Sequence, residues 1–245
     1  MFELLIVLIL APFVSGICDA VYSFCREKKL KNSFSLYKKI FVSLKTSHAQ
    51  NEFSPFSALA LSAALIAAFI LFNISTNLDY IIFLAFMLAN MFAISFFDKN
   101  ICKNKIICGS VYITVMTTLY AYMNNPVFEA LSEVKGVNTF MPAILSLVFL
   151  LIGSYFYRPE PCEINGVDKA FLIYSQSLCL TLFIALTGLL FYSLNLVVFA
   201  VNLIAGAAFT GIIYFADEKI PYLRNTLAIA AALLFVVPAL LAYWQ

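Results

Sequence analysis

The sequence predicts an all-α polytopic membrane protein of eight transmembrane helices, with both termini outside and an amphipathic surface helix after the first span. Three observations carry that expectation. The 245 residues are 63% hydrophobic and 11% charged, whereas about a quarter of the residues in a soluble domain are charged. The apolar runs are continuous over 17 or more residues and do not alternate with period two, which favours helices over a β-barrel. The basic residues gather in alternate loops, as they do when successive helices cross a bilayer in opposite directions.

With about 20 apolar residues needed to cross, the chain divides into spans at 2–24, 55–72, 80–97, 106–123, 140–157, 171–192, 195–215 and 223–243. Turns bearing Asn, Pro or charge separate them. The whole of 1–245 reads as a single transmembrane domain, with no soluble domain and no internal repeat. The first run could be taken for a signal peptide. It has no basic leading region, opens with Glu3 and lacks a small-residue cleavage site, so it reads as a retained span.

Counting Lys and Arg tests the map. Fourteen of the 15 fall in the loops after spans 1, 3, 5 and 7, leaving Lys135 alone on the other side. Those four loops are therefore expected to face the cytoplasm. The longest covers residues 25–54 and holds Arg26, Lys28, Lys29, Lys31, Lys38, Lys39 and Lys45 against Glu27 and Glu52, a net +5 where the rest of the chain sums to −3.

Inside this loop Phe34, Leu36, Tyr37, Ile40, Phe41 and Leu44 share an arc of about 160°, with Ser35, Lys38, Lys39, Ser43 and Lys45 opposite. Such a helix can rest on lipid headgroups as an ordinary topogenic element. It can equally form a docking shelf that steers an acidic partner surface.

Residues able to carry chemistry are few. Ionisable groups within a bilayer mark ion or proton paths, yet spans 2 to 8 carry none near their centres, and Asp79, Asp98, Asp217 and Glu218 sit at membrane edges. Asp19, inside the end of span 1, is the exception. It is a candidate proton-path residue, or else a partner for Arg26 or Lys28. Asn90, Thr114, Thr117, Thr118, Gln176, Thr181 and Asn202 read as interhelical hydrogen-bonding groups. Gly206, Thr210 and Gly211, flanked by Ala205 and Ala207, give span 7 a small face for close packing.

Six cysteines without a CxxC pair, and the lone His48, argue against a metal cluster or a bis-histidine haem in the chain. The loop from Arg158 to Lys169 is acidic and stiffened by Pro159 and Pro161; it serves either as a connector or as part of the same working face. No phosphate loop, Ser/His/Asp set or nucleic-acid motif is present, so the chain is not expected to be an enzyme on its own.

A resemblance gathers these features. Leu10-Ala11-Pro12, Ser15-Gly16, the basic run to Lys31 and Ser35-Leu36-Tyr37-Lys38-Lys39-Ile40-Phe41 through Leu44-Lys45 come first in order. Ser54-Pro55, Asn125-Pro126, Arg158-Pro159 and Lys219-Ile220-Pro221-Tyr222-Leu223 follow. The order resembles the subunit 1 family of respiratory complex I. That family includes the membrane anchor subunit of formate hydrogenlyase and of other energy-conserving membrane-bound nickel–iron hydrogenases.

Lys28-Lys29-Leu30-Lys31 stands where the family carries Arg-x-Gly-Pro, and the loop after span 5 is short. Both departures favour the hydrogenase branch, in a shortened, divergent form. The resemblance implies a multi-pass protein of the prokaryotic inner (cytoplasmic) membrane that docks a cytoplasmic hydrogenase module to ion-translocating, antiporter-like membrane subunits. The expected partners are the hydrogenase large and small (iron–sulfur) subunits and the lipid bilayer, with no nucleic acid. The nickel–iron centre and iron–sulfur clusters would belong to the partners, and this chain would hold no cofactor.

The expected docking residues are Arg26, Lys28, Lys29, Lys31, Tyr37, Lys38, Lys39, Lys45, Arg158, Glu160, Glu163, Lys219 and Arg224. Two alternatives stay open: the corresponding membrane subunit of an NADH:quinone oxidoreductase of the complex I type, and a free-standing transporter or channel for a small solute lined by Asn90, Gln176 and Asn202.

Overall fold

The computed structural model describes residues 2–46, 54–73, 77–97, 147, 150–156, 166–191, 196–230 and 233, and all regular structure among them is helical. Six helices are α1 (Phe2–Glu27), α2 (Ser35–Thr46), α3 (Pro55–Leu71), α4 (Asn77–Ser95), α5 (Val167–Phe191) and α6 (Leu196–Lys219). A helical piece at 150–153 and another at 223–230 complete the described helices of more than one residue. Among the described residues, three helices are long and apolar enough to cross a membrane, at Leu4–Glu27, Val167–Leu186 and Val197–Lys219. The expected span at 106–123 lies outside the described residues, as do most of spans 5 and 8.

α5 is the central element. From Leu178 to Leu186 every residue is buried, and a helix that is apolar all round must be enclosed by others. α1, α2, α3 and α6 all pack on it. α3 shows how the outer helices meet it. It buries Ala60, Ala63, Ala64, Ala67 and Ala68 and exposes Phe56, Leu59, Leu65, Ile66 and Phe69. Water would penalise that arrangement, whereas lipid tails accept large apolar groups and leave close packing to small residues.

α6 follows the same rule. A Cβ on Gly206 would lie 2.5 Å from Ile184 of α5, and one on Gly211 would lie 2.8 Å from the Cys18 carbonyl oxygen of α1. The two glycines thus serve two different neighbours. Ala207 and Thr210 are buried between them, while Ala205, expected on the same small face, is exposed.

The contacts also fix relative directions. α1 and α6 run parallel, with Cys18 beside Ala207 and Tyr22 beside Tyr214 and Glu218. α3 and α5 start together, joined by Asp168. α4 runs back along α3, with Asn90 on the Ala60 carbonyl and Phe96 stacked on Phe56. α6 runs back along α5, with Asn202 donating to the Ile184 carbonyl at 3.0 Å. Leu8, near the start of α1, meets Tyr174, about two turns from the start of α5. Flush antiparallel helices would place Leu8 near the far end of α5, so α1 does not lie flush with it.

Candidate functional site

The chain's distinctive geometry is the way residues 28–46 return along α1. Lys28 ends α1 in the left-handed region, at φ 56°, with its N–H on the Phe24 carbonyl at 3.0 Å. From there the chain doubles back. A Cβ on Gly16 would sit 1.8 Å from the Ser33 carbonyl oxygen, so glycine is what lets the returning backbone lie directly on the helix. Asn32 accepts the Phe34 N–H through its side-chain oxygen at 2.9 Å. The Phe34 ring then meets Phe13, with centroids 5.0 Å apart.

The return ends at a notch made by Pro12. Proline has no N–H, so Pro12 cannot donate to the carbonyl four residues earlier, that of Leu8. In a non-aqueous setting such a carbonyl needs another donor. Tyr174 of α5 supplies it, its hydroxyl donating to the Leu8 oxygen at 2.9 Å. Tyr37 of α2 donates to the next carbonyl, that of Ile9. Two tyrosines from different elements therefore fasten α5 and α2 to adjacent carbonyls of α1. Burial also pushes the Tyr37 phenol above its ordinary pKa.

The arrangement shows which side of α2 the protein covers. Its protein-facing edge is Leu36, Ile40 and Ser43, with Leu36 and Ser43 buried, although helical periodicity places Ser43 on the solvent side. Phe34, Phe41 and Leu44, which share the apolar arc with Leu36, are exposed at 59%, 69% and 38%. Amphipathicity locates apolar residues but cannot say which of them a neighbouring helix will cover. Tyr37, expected to dock a partner, is half-buried and turned into the protein.

At the end where α1 and α6 finish, two ionic clusters fix the rim. In the first, Arg26 Nε lies 3.8 Å from Glu218 Oε1. Tyr22 donates to Glu218 Oε2 at 2.8 Å and accepts from Arg26 Nη1 at 3.0 Å. The Arg26–Glu218 pair is partly exposed, so it orients the groups more than it stabilises the fold.

In the second, Arg224 is enclosed. Its guanidinium carbon lies 4.2 Å from the Tyr155 ring centroid and 5.4 Å from that of Tyr214. Nη2 is 3.5 Å from Asp217 Oδ2, and Nη1 donates to the Ser154 carbonyl at 3.1 Å. Asp217 Oδ1 also accepts the Arg224 backbone N–H at 2.9 Å, satisfying a donor at the start of the 223–230 helix. Arg224 is thus a structural clasp between that helix, α6 and the 150–156 segment. Expected to dock a partner, Arg224 is buried among groups of its own chain.

On the neighbouring helix starts, Asp168 accepts the Ser54 N–H at 3.2 and 3.3 Å through its two oxygens, together with the Ser57 hydroxyl. A carboxylate at the first turn of its own helix and at the N-terminus of another sits favourably against both macrodipoles. In the sequence Asp168 is merely part of a connector, with nothing to mark this role.

The remaining expected residues divide clearly. Arg26, Lys28, Lys29, Lys31, Lys38, Lys45 and Lys219 are exposed, and Lys39 is half-exposed. Arg158, Glu160 and Glu163 lie outside the described residues. Asp19 is 3% exposed, and the ion pair of Arg26 is with Glu218. Asn90 and Asn202 bond carbonyls of neighbouring helices, whereas Thr181 bonds within its own helix, to the Ser177 carbonyl at 2.8 Å. Among the described residues no group of three or more His, Cys, Asp or Glu could hold a metal ion. Tyr174 escapes a reading of the sequence altogether, although Pro12 within a helix signals that the Leu8 carbonyl needs a donor from elsewhere. Searches against family models, curated proteins and solved structures returned no match to this chain.

Proposed function

We propose that the chain is a membrane anchor subunit of a multisubunit redox complex, docking a cytoplasmic hydrogenase module of the formate-hydrogenlyase type to ion-translocating membrane subunits. The observation that carries this reading is the exposed basic turn at Arg26, Lys28, Lys29 and Lys31. The turn is anchored on both sides, by Arg26 on Glu218 and by the Ser33 backbone on Gly16. Cations held at fixed positions steer an acidic partner and lose little freedom when it binds. In this reading the nickel–iron and iron–sulfur centres belong to the partner chains.

The reading includes eight spans, both termini outside and placement in a prokaryotic cytoplasmic membrane. Helix directions support it in part: α1 with α6, α3 with α5, and α4 and α6 reversed on their neighbours follow the alternation of an eight-span map, while the Leu8–Tyr174 contact brings the start of α1 near the start of α5. The small-solute transporter has less support, since the described bonds of Asn90 and Asn202 tie helices together rather than line a passage.

Charge reversal of Lys28, Lys29 and Lys31 to Glu tests the proposal. The variant is expected to insert at the normal level while the nickel- and iron–sulfur-bearing chains no longer co-purify with it from native membranes. Retention of those chains by the variant, or their absence from the wild-type preparation, overturns it.

A further inference from the structure

The docking proposal concerns the turn at 26–31. α2 carries a second surface, made of different residues, and the inference from it does not depend on that proposal. Around the α2 axis, at about 100° per residue, three faces follow one another. Leu36, Ile40 and Ser43 meet the protein. Next come Leu44, Tyr37, Phe41 and, just before the first turn, Phe34; Tyr37 is held on α1 and the other three are exposed. Lys38 and Lys45 follow, also exposed.

The middle face is not isolated. Phe34 touches Phe13 of α1, with ring centroids 5.0 Å apart, and on α1 the neighbouring outward residues Leu5 and Ile9 are 54% and 66% exposed. α1 is long and apolar enough to cross a membrane, so its exposed apolar side faces lipid. The apolar face of α2 continues that side through Phe13 and Phe34, and the two lysines border it on the far edge. An apolar strip flanked by cations is the arrangement that places rings among acyl chains and ammonium groups at the level of phosphate.

We infer that α2 is a lipid-binding element whose Phe34, Phe41 and Leu44 contact acyl chains while Lys38 and Lys45 bind the headgroups of anionic phospholipids. Cations near an anionic leaflet each contribute about a fivefold preference over a zwitterionic one. The pair therefore favours anionic lipid at this surface by on the order of tenfold or more.

The experiment uses the full chain with Trp244, its single tryptophan, replaced by Phe and a reporter introduced as Phe41→Trp. The protein is reconstituted in bilayers in which the acyl-brominated lipid is either phosphatidylglycerol or phosphatidylcholine. Bromine quenching is expected from both, with the anionic lipid stronger by on the order of tenfold or more in relative binding constant. Lys38→Glu with Lys45→Glu is expected to bring the two lipids to parity while quenching persists. A second reporter, Phe34→Trp, guards against a local effect at position 41.

A reporter unquenched at both positions would mean that protein or water covers this face, and would overturn the inference. So would a lipid preference unchanged by the double lysine variant. Partner retention in the Lys38/Lys45 variant, against its loss on reversal of Lys28, Lys29 and Lys31, separates this surface from the docking turn.

Discussion

Replacing Tyr174 by Phe should destabilise the protein, and it should do so only while residue 12 is proline. The reasoning is local. Pro12 offers no N–H to the Leu8 carbonyl, and the Tyr174 hydroxyl stands in at 2.9 Å. Removing that hydroxyl leaves a carbonyl inside the bundle without the donor it has now. Side-chain hydrogen bonds between membrane helices contribute about 0.6 kcal/mol on average and at most about 1.7. A carbonyl that lacks its helical partner belongs at the upper end, so Tyr174→Phe should cost about 1 to 1.7 kcal/mol.

In Pro12→Ala the new N–H can bond to Leu8 as in any helix, and the same Tyr174→Phe change should then cost no more than about 0.3 kcal/mol. The four proteins of the cycle can be compared by reversible unfolding in mixed micelles with increasing dodecyl sulfate. A coupling of about 1 kcal/mol is expected. Equal costs of Tyr174→Phe in the wild-type and Pro12→Ala backgrounds would refute the idea that this tyrosine substitutes for a missing backbone donor.

Two further outcomes follow from the returning segment. Gly16→Ala drives a methyl into the Ser33 carbonyl, 1.8 Å away, so residues 28–34 should lift from α1; tryptic cleavage after Lys29 and Lys31 should accelerate, with a stability loss of about 1–3 kcal/mol. Tyr37 gives a pH dependence: its folded pKa is raised by burial, so its contribution is complete below the ordinary phenol range and falls as pH rises through and above that range. Proteolysis within residues 28–46 should therefore increase at alkaline pH in the wild type, and Tyr37→Phe should be more susceptible at neutral pH and lack that increase.

Local pattern and tertiary pairing were legible in the sequence to different degrees. Continuous apolar runs marked the helices, because each must satisfy its own backbone in lipid. Gly206 and Gly211 announced close packing correctly, since a missing Cβ has the same effect whichever neighbour arrives. The partners themselves were not legible. Tyr174 and Leu8 are 166 residues apart, and Ser54 and Asp168 are 114 apart, so no window along the chain contains both members of either pair.

α2 shows a subtler failure. Its apolar arc was visible, but the protein covers one edge of that arc, including polar Ser43, and leaves Phe41 outside. The burial of Arg224 was not legible either, because a basic residue at an expected membrane edge looks solvated until two tyrosines close over it.

The enclosure of α5 has a consequence for how the protein is made. Its enclosed stretch, 178–186, is synthesised after α1 to α3 have left the ribosome, and it is these helices that α5 holds together with α6. Until then, α1 and α3 share few neighbours and the carbonyl opened by Pro12 has no tyrosine from α5. Among the described residues, the early helices are left as two pairs, α1 with α2 and α3 with α4, until α5 joins them. The arrival of the helix that begins at Val167 is the event that joins those two pairs.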